Sequence, residues 1–171
     1  MRLLNFGQYK RKSFEWAFFY APSYVHYIHD EDTEGRWKWH NREDEIYFNE
    51  LYRRASRLTG ICPFCKQRPI TRMCLLYNRN WQSVSSASFD CDECGYLGGA
   101  PCEYAPPSLF PRGHALSQSE YKIIAGAIKH QFIGPGRLTQ TKMEAFFQAD
   151  RFFRDATPGY FDAAGVHGGD G

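Results

Sequence analysis

The sequence predicts an α+β fold: a small helical N-terminal module, a central ribbon of β-hairpins and a C-terminal αα-hairpin. Three observations carry this. Apolar and aromatic residues recur at helical spacing through residues 14–58 and again through 117–155. The intervening stretch, about 59–104, holds all six cysteines and loses that periodicity. After it, Pro101, Pro106, Pro107 and Pro111 hold the chain extended. At 171 residues the chain suits one domain or two small ones, and 17% aromatic with 43% apolar residues excludes a disordered polymer.

Each element has a local reason. In residues 1–58 a short extended start precedes helices at about 14–21 and 23–30. Pro22 separates them because it removes a backbone donor, and Ser23 is the expected N-cap of the second. A polar stretch with Trp37 and Trp39 leads to a longer helix at about 42–58. Asn41 and Asp44 sit at cap spacing there, Tyr47, Leu51, Ala55 and Leu58 mark its apolar face, and Gly60 stops it. Residues 70–77 and 81–91 are rich in β-branched, aromatic and aliphatic side chains, with Asn78-Arg79-Asn80 between them, so they read as two strands and a turn. Residues 105–155 are a linker and the αα-hairpin, with capping boxes expected at Ser117/Glu120 and Thr141/Glu144. Tyr121, Ile124, Ala125, Ile128 and Phe132 form one apolar stripe, and Met143, Phe146, Phe147 and Phe153 face it across Gly134-Pro135-Gly136. Residues 156–171, with five glycines, are expected to be a flexible tail.

The chemistry is concentrated in the cysteines. Cys62-Pro63-Phe64-Cys65 and Cys91-Asp92-Glu93-Cys94 are two CxxC pairs with 25 residues between them. Each pair can turn two sulfurs toward one point, and two such knuckles complete a tetrahedral set that suits one structural Zn(II). Pro63 stiffens the first turn, and Gly95 stands where the second needs a positive φ. The competing readings are disulfides, which need an oxidising compartment, a redox pair, which belongs beside a βαβ unit, and an iron–sulfur site. Cys74 reads as a buried strand residue and Cys102 as a loop thiol, the sharper alternative being that one of them replaces a ligand. Four thiolates leave no open coordination position, so the expected metal is structural rather than catalytic.

The formal charge of +2 conceals an uneven distribution. From Leu51 to Phe89 there is no Asp or Glu, while Arg53, Arg54, Arg57, Lys66, Arg68, Arg72 and Arg79 are all basic. Arginine grips phosphate bidentately and stacks on bases. Trp81 and Tyr77 offer stacking surfaces, and Lys10-Arg11-Lys12 is a second basic cluster whose Lys10 and Lys12 can hold phosphates. The bland reading is a solvated helix end and a counterweight to the zinc thiolates.

Leu4-Asn5-Phe6-Gly7-Gln8-Tyr9-Lys10-Arg11-Lys12-Ser13-Phe14, followed by Ala21-Pro22-Ser23-Tyr24-Val25-His26-Tyr27-Ile28, resembles a module that follows the catalytic domain in exodeoxyribonuclease X-like proteins. That module reads F-G-K-Y-K-G-K, an amphipathic helix, then D-P-x-Y-hydrophobic-x-W-hydrophobic. Phe6, Gly7, Tyr9, Lys10, Lys12, Pro22 and Tyr24 match; Gln8, Arg11 and Tyr27 depart from Lys, Gly and Trp. The likeness covers under a fifth of the chain and brings no catalytic residue with it. The stretch Cys62–Tyr96 resembles a zinc ribbon, a class common in nucleic-acid machinery. Together the resemblances imply a nucleic-acid context rather than an activity.

No G-x-S-x-G, P-loop or G-x-G-x-x-G occurs. Asp30-Glu31-Asp32 with Glu34 reads as solvated surface, Glu120-Tyr121-Lys122 as a helix start, and His26, His29 and His40 as surface histidines. The expectation is therefore a non-catalytic zinc-ribbon protein that binds nucleic acid or assists its processing. The alternatives are a protein–protein adaptor docking through Trp37 and Trp39, and a small metal-dependent nuclease using Asp30, Asp32 or Glu120. The longest apolar run, Trp16–Ala21, cannot span a membrane, and the N-terminus lacks an export signal. The expected location is intracellular, cytoplasmic or nuclear/nucleoid.

Overall fold

The computed structural model describes residues 2–78, 80, 82–94, 102–111 and 116–153. The described residues form five α-helices and a three-stranded antiparallel sheet, an α+β arrangement as expected. The chain begins as a hairpin: Leu3 bridges Ser13, Leu4 N–H donates to Lys12 at 2.8 Å, and Arg11 N–H donates to Leu4 at 2.9 Å. Ser13 then caps α1, Phe14–Tyr20, by accepting from Trp16 N–H at 3.0 Å.

Helix α2 is Pro22–Thr33, with Ala21 at its N-cap. Ser23 therefore lies inside the helix rather than capping it. Proline lacks only a donor that the first turn leaves unpaired anyway, and its φ is preset for a helix, so the break falls before Pro22. Helix α3, Arg42–Ala55, is capped by Asn41, which accepts from Asp44 N–H at 2.8 Å and donates to its carboxylate at 3.0 Å. It ends three residues before the expected Leu58, which instead bridges Phe153 and donates its N–H to Pro107 at 2.9 Å.

Strands β1, Arg72–Tyr77, and β2, Val84–Asp90, pair as the sequence suggests, and β3, Cys102–Ala105, adds to the far side of β1. Four residues among prolines show too little alternation for β3 to be read as a strand from sequence. Met73 and Leu75 of β1 are fully buried, and Phe89 of β2 meets Phe132 edge-on at 5.3 Å.

Helix α4 is Gln118–Ile128 and continues as a π-helical turn, Lys129–Ile133, before Gly134 stops it at φ 93°. The Ser117/Glu120 capping box is formed. The second one is not: α5, Gln140–Gln148, is capped by Thr139. Thr139 accepts from Lys142 N–H at 3.3 Å, and the Glu144 carboxylate is taken by Gln140 one turn before it rather than returned to a cap. A 3-10 turn, Asp150–Phe152, follows.

One buried cluster draws side chains from all five helices and from the sheet. At its centre Phe18 meets Phe48, Phe110 and Phe147 at 5.9, 5.8 and 5.3 Å. Leu109 and Phe110 belong to the proline-rich stretch, which is packed rather than extended through solvent; Leu109 N–H donates to Ala55 at 2.8 Å. No helix of the described residues is long and apolar enough to cross a membrane. The expected tail 156–171 lies outside the described residues.

Candidate metal centre

Four sulfurs, from Cys62, Cys65, Cys91 and Cys94, all lie within 4.8 Å of one another and could hold a metal ion. Backbone pairing brings them together. Residues 60–70 form a small hairpin in which Ile70 N–H donates to Gly60 at 2.8 Å and Cys62 N–H to Arg68 at 2.7 Å. At its tip Lys66 N–H donates to Cys62 at 3.0 Å, and Lys66 takes φ 60°. The left-handed residue that closes this knuckle is thus a lysine, although glycine carries that conformation without steric cost. The second knuckle follows β2 directly. Thr71 N–H donates to Asp90 at 3.0 Å, so the β1–β2 ladder sets Cys91 beside the first hairpin. Gly95, expected to relax the second turn, lies outside the described residues.

The acids of the second knuckle are tied to the first hairpin. Asp92 accepts from the Thr71 hydroxyl at 2.6 Å, and Glu93 is ion-paired with Arg68. The N–H groups of Gln67 and Arg68 point at Cys65 and lower its pKa to about 6. At Cys62 burial opposes ionisation, yet donors from Cys65, Phe64 and Cys91 outweigh it and the pKa falls. Cys94 is pushed up to about 12 by hydrogen bonding to Cys91 and then by burial, and burial raises Cys91. Backbone donors thus shift the two thiols of the first hairpin toward the thiolate form a metal takes, while burial and hydrogen bonding shift Cys91 and Cys94 away from it. A bound cation favours the thiolate at all four.

Cys74 is fully buried on β1, as expected. Burial and the neighbouring Cys102 push its thiol up to about 12. Cys102 lies on β3 rather than in a loop. Neither belongs to the four-sulfur cluster.

The basic residues fall into two groups. Arg53, Arg54, Arg68 and Arg72, which flank the ribbon, are engaged with carboxylates that lie outside the acid-free segment. Arg53 and Arg54 share Glu50 at 2.8 and 2.6 Å, and Arg54 also reaches Asp150 at 2.9 Å. Their two guanidiniums hold the Glu50 carboxyl down at about 2. Arg72 pairs with the fully buried Asp90 at 2.6 Å and covers the Tyr104 ring at 4.2 Å. Arg57 is half-buried at the end of the α3 segment and Lys66 is exposed on its knuckle. Arg79 and Trp81 lie outside the described residues.

The second group is the N-terminal hairpin. Lys10, Arg11 and Lys12 are exposed, and among the described residues none of them is ion-paired. Arg11 occupies φ 71°, so the turn keeps a left-handed residue where the resembling module has glycine. Gly7, at φ 65°, has no room for a side chain: an added Cβ would lie 1.9 Å from the Tyr24 hydroxyl. Around this turn runs a row of rings, Tyr9, Trp16, Tyr20, Tyr24 and Tyr27, that the sequence did not bring together. Its only local signal is the i, i+4 spacing of Trp16 and Tyr20 and the i, i+3 spacing of Tyr24 and Tyr27.

The other candidates have structural partners. Asp32 accepts from Trp39 at 2.6 Å and from Asn49 at 3.3 Å, Glu31 pairs with Arg36 at 2.5 Å, and Asp30 faces His26 at 3.7 Å. His26 also meets the Tyr52 hydroxyl at 2.9 Å. Glu120 accepts from Val84 N–H and from Ser117 N–H, each at 2.7 Å. Trp37 and Trp39 are half-buried and pack edge-on against Phe6 at 5.1 and 5.7 Å. They hold the N-terminal module together instead of standing out as docking residues. No family profile, curated protein or solved structure matches the chain.

Proposed function

We propose that the chain is a non-catalytic nucleic-acid-binding or accessory protein, stapled by one structural Zn(II) at Cys62, Cys65, Cys91 and Cys94. The observation that carries the nucleic-acid reading is the Lys10–Lys12 turn. It presents three exposed cations, without ion pairs among the described residues, on a backbone-bonded hairpin beside aromatic rings. Such a turn can neutralise phosphates without first breaking internal ion pairs. Arg53, Arg54, Arg68 and Arg72 would have to give up carboxylates to do so, which favours the N-terminal hairpin over these four as the phosphate contact.

Zinc is supported by the donor set and its spacing. A tetrahedron with Zn–S bonds of about 2.3 Å has edges of about 3.8 Å. Cys65 and Cys91 stand 3.9 Å apart, far beyond disulfide bonding distance. All four donors are sulfur, so the shell is closed and the ion's work is to hold the two hairpins in register.

The nuclease alternative loses ground because its carboxylates are occupied. Glu120 is a helix cap that also binds β2, and Asp32 orients Trp39. Equilibrium binding of a labelled oligonucleotide tests the reading. Affinity should fall on substituting Lys10 and Lys12 by alanine and stay nearly unchanged on substituting Arg53. Binding that ignores Lys10, Arg11 and Lys12 would overturn it. Salt-insensitive binding of a protein partner with no nucleic-acid affinity would favour an adaptor, and the exposed Ile61 and Phe64 on the first knuckle would be its place.

A further inference from the structure

The row of rings beside the cationic turn has a geometry of its own. Tyr20 stacks on Trp16 at 5.2 Å with 19° between the planes. Trp16 meets Tyr9 at 5.5 Å, Tyr9 meets Tyr24 at 5.1 Å, and Tyr24 stacks on Tyr27 at 6.4 Å and 25°. The row is therefore continuous across the hairpin and the first two helices. Tyr20 and Tyr27 are open to solvent, at 42% and 53% exposure, and Tyr27 also meets the half-buried Trp37 edge-on at 6.4 Å. The middle of the row is charged: the Lys12 ammonium lies over the Trp16 ring at 5.3 Å. Lys10 and Arg11 flank it on the same turn.

A single exposed tyrosine is ordinary on a protein surface. Five contiguous rings that include two exposed ones, with three exposed cations on the same hairpin, form a platform that answers both halves of what an unpaired strand offers. Bases present flat π-faces to stack on, and phosphates present charge. In a duplex the base faces are already stacked on one another, so only the cations would have a ligand. The platform is also preorganised. Hydrogen bonds from Leu4 and Arg11 fix the hairpin, and the Tyr24 hydroxyl fills the space above Gly7.

We infer that this face binds single-stranded nucleic acid in preference to duplex, with bases stacking on Tyr20 and Tyr27 and phosphates held by Lys10, Arg11 and Lys12. The inference rests on the nucleic-acid reading above and adds to it the strand state and the contacts that select it.

The test compares an oligonucleotide of about 12 nucleotides, within the usual range of single-strand site sizes, with a duplex of the same length, by fluorescence anisotropy on the full chain. Single strand should bind at least about tenfold tighter than duplex. Tyr20→Ala and Tyr27→Ala should each weaken single-strand binding about tenfold, as loss of one stacked base does, and leave duplex binding unchanged. Tyr20→Phe and Tyr27→Phe keep the ring and should bind within about twofold of the parent. Circular dichroism of each variant checks folding, and Tyr27→Leu serves as an apolar control that should behave like alanine.

Equal affinity for single strand and duplex would overturn the inference. So would alanine variants without effect, while salt-dependent binding in either case leaves the broader reading standing. Absence of salt-dependent binding to either probe would overturn that reading and this inference with it.

Discussion

Glu120→Ala separates a structural carboxylate from a catalytic one. Glu120 is only 8% exposed and serves two elements. One oxygen accepts from Val84 N–H at 2.7 Å, and the other accepts from the Ser117 N–H and hydroxyl, each at 2.7 Å. Truncation removes the return half of the capping box, about 1 kcal/mol. It also leaves the Val84 N–H without its partner in a buried position, a further ~1–3 kcal/mol. The total is about 3 kcal/mol, which in a chain of this size corresponds to a melting-temperature drop of roughly 6–12 °C. Glu120→Gln keeps one acceptor oxygen and should cost about 1 kcal/mol.

The pH dependence has a fixed sign. Burial opposes ionisation of Glu120, but the Val84 and Ser117 donors outweigh it and its pKa lies below the ordinary value of 4.5. A depressed folded-state pKa gives stability that is present above 4.5 and is lost as pH falls through the folded value. The gap between parent and Glu120→Ala should therefore narrow on acidification below that range. Urea denaturation at neutral and acid pH measures it. A loss under about 0.5 kcal/mol at neutral pH, or a gap that does not narrow in acid, would refute the structural role.

Other perturbations follow from the same contacts. Arg72→Ala strands the Asp90 carboxylate, of which 1% is exposed, and should cost about 3–5 kcal/mol in chemical denaturation, whereas Arg72→Met with Asp90→Asn should recover much of it. Gly7→Ala puts a Cβ at positive φ beside the Tyr24 hydroxyl and should lose at least ~1–2 kcal/mol, while Arg11→Gly relaxes a left-handed residue and should leave stability within about 1 kcal/mol of the parent. Chelation, or Cys65→Ser, should release the metal and open amide exchange across residues 59–94, with elemental analysis finding one zinc per chain beforehand. Acid should release the metal as well, because protons compete for the same sulfurs, and a metal-free chain that stays folded would contradict the assignment.

The four-sulfur cluster was legible as two pairs because CxxC spacing confines two sulfurs to one turn, and the β1–β2 ladder then brings the pairs together. The Ser117/Glu120 box and the Asn41 cap were legible for the same reason, being contacts between residues three apart. What failed depended on distant partners. Thr139 caps α5, and the Gln140 beside it accepts from the Ser13 hydroxyl at 2.7 Å and donates to Glu15 at 3.5 Å, both far away in sequence. β3 exists because β1 has a free edge to accept it, which four residues cannot announce. The acid-free run from Leu51 to Phe89 looked like a phosphate surface in one dimension. In three dimensions Glu50, Asp90, Glu93 and Asp150 pair with Arg53, Arg54, Arg68 and Arg72. The aromatic row was hidden because Tyr9 joins two helical pairs that have no sequence relation to it.

Salt dependence of single-strand binding, by the parent and by Lys10→Ala/Arg11→Ala/Lys12→Ala, tests the placement of the phosphate contacts most directly. Removing one phosphate-binding cation should reduce the slope of log affinity against log salt by about 0.7. The triple variant should therefore bind more weakly with a slope shallower by about 2, while Arg53→Ala/Arg54→Ala keeps the parent slope. An unchanged slope in the triple variant, with a shallower slope in the Arg53/Arg54 variant instead, would contradict the assignment of phosphate binding to the N-terminal hairpin.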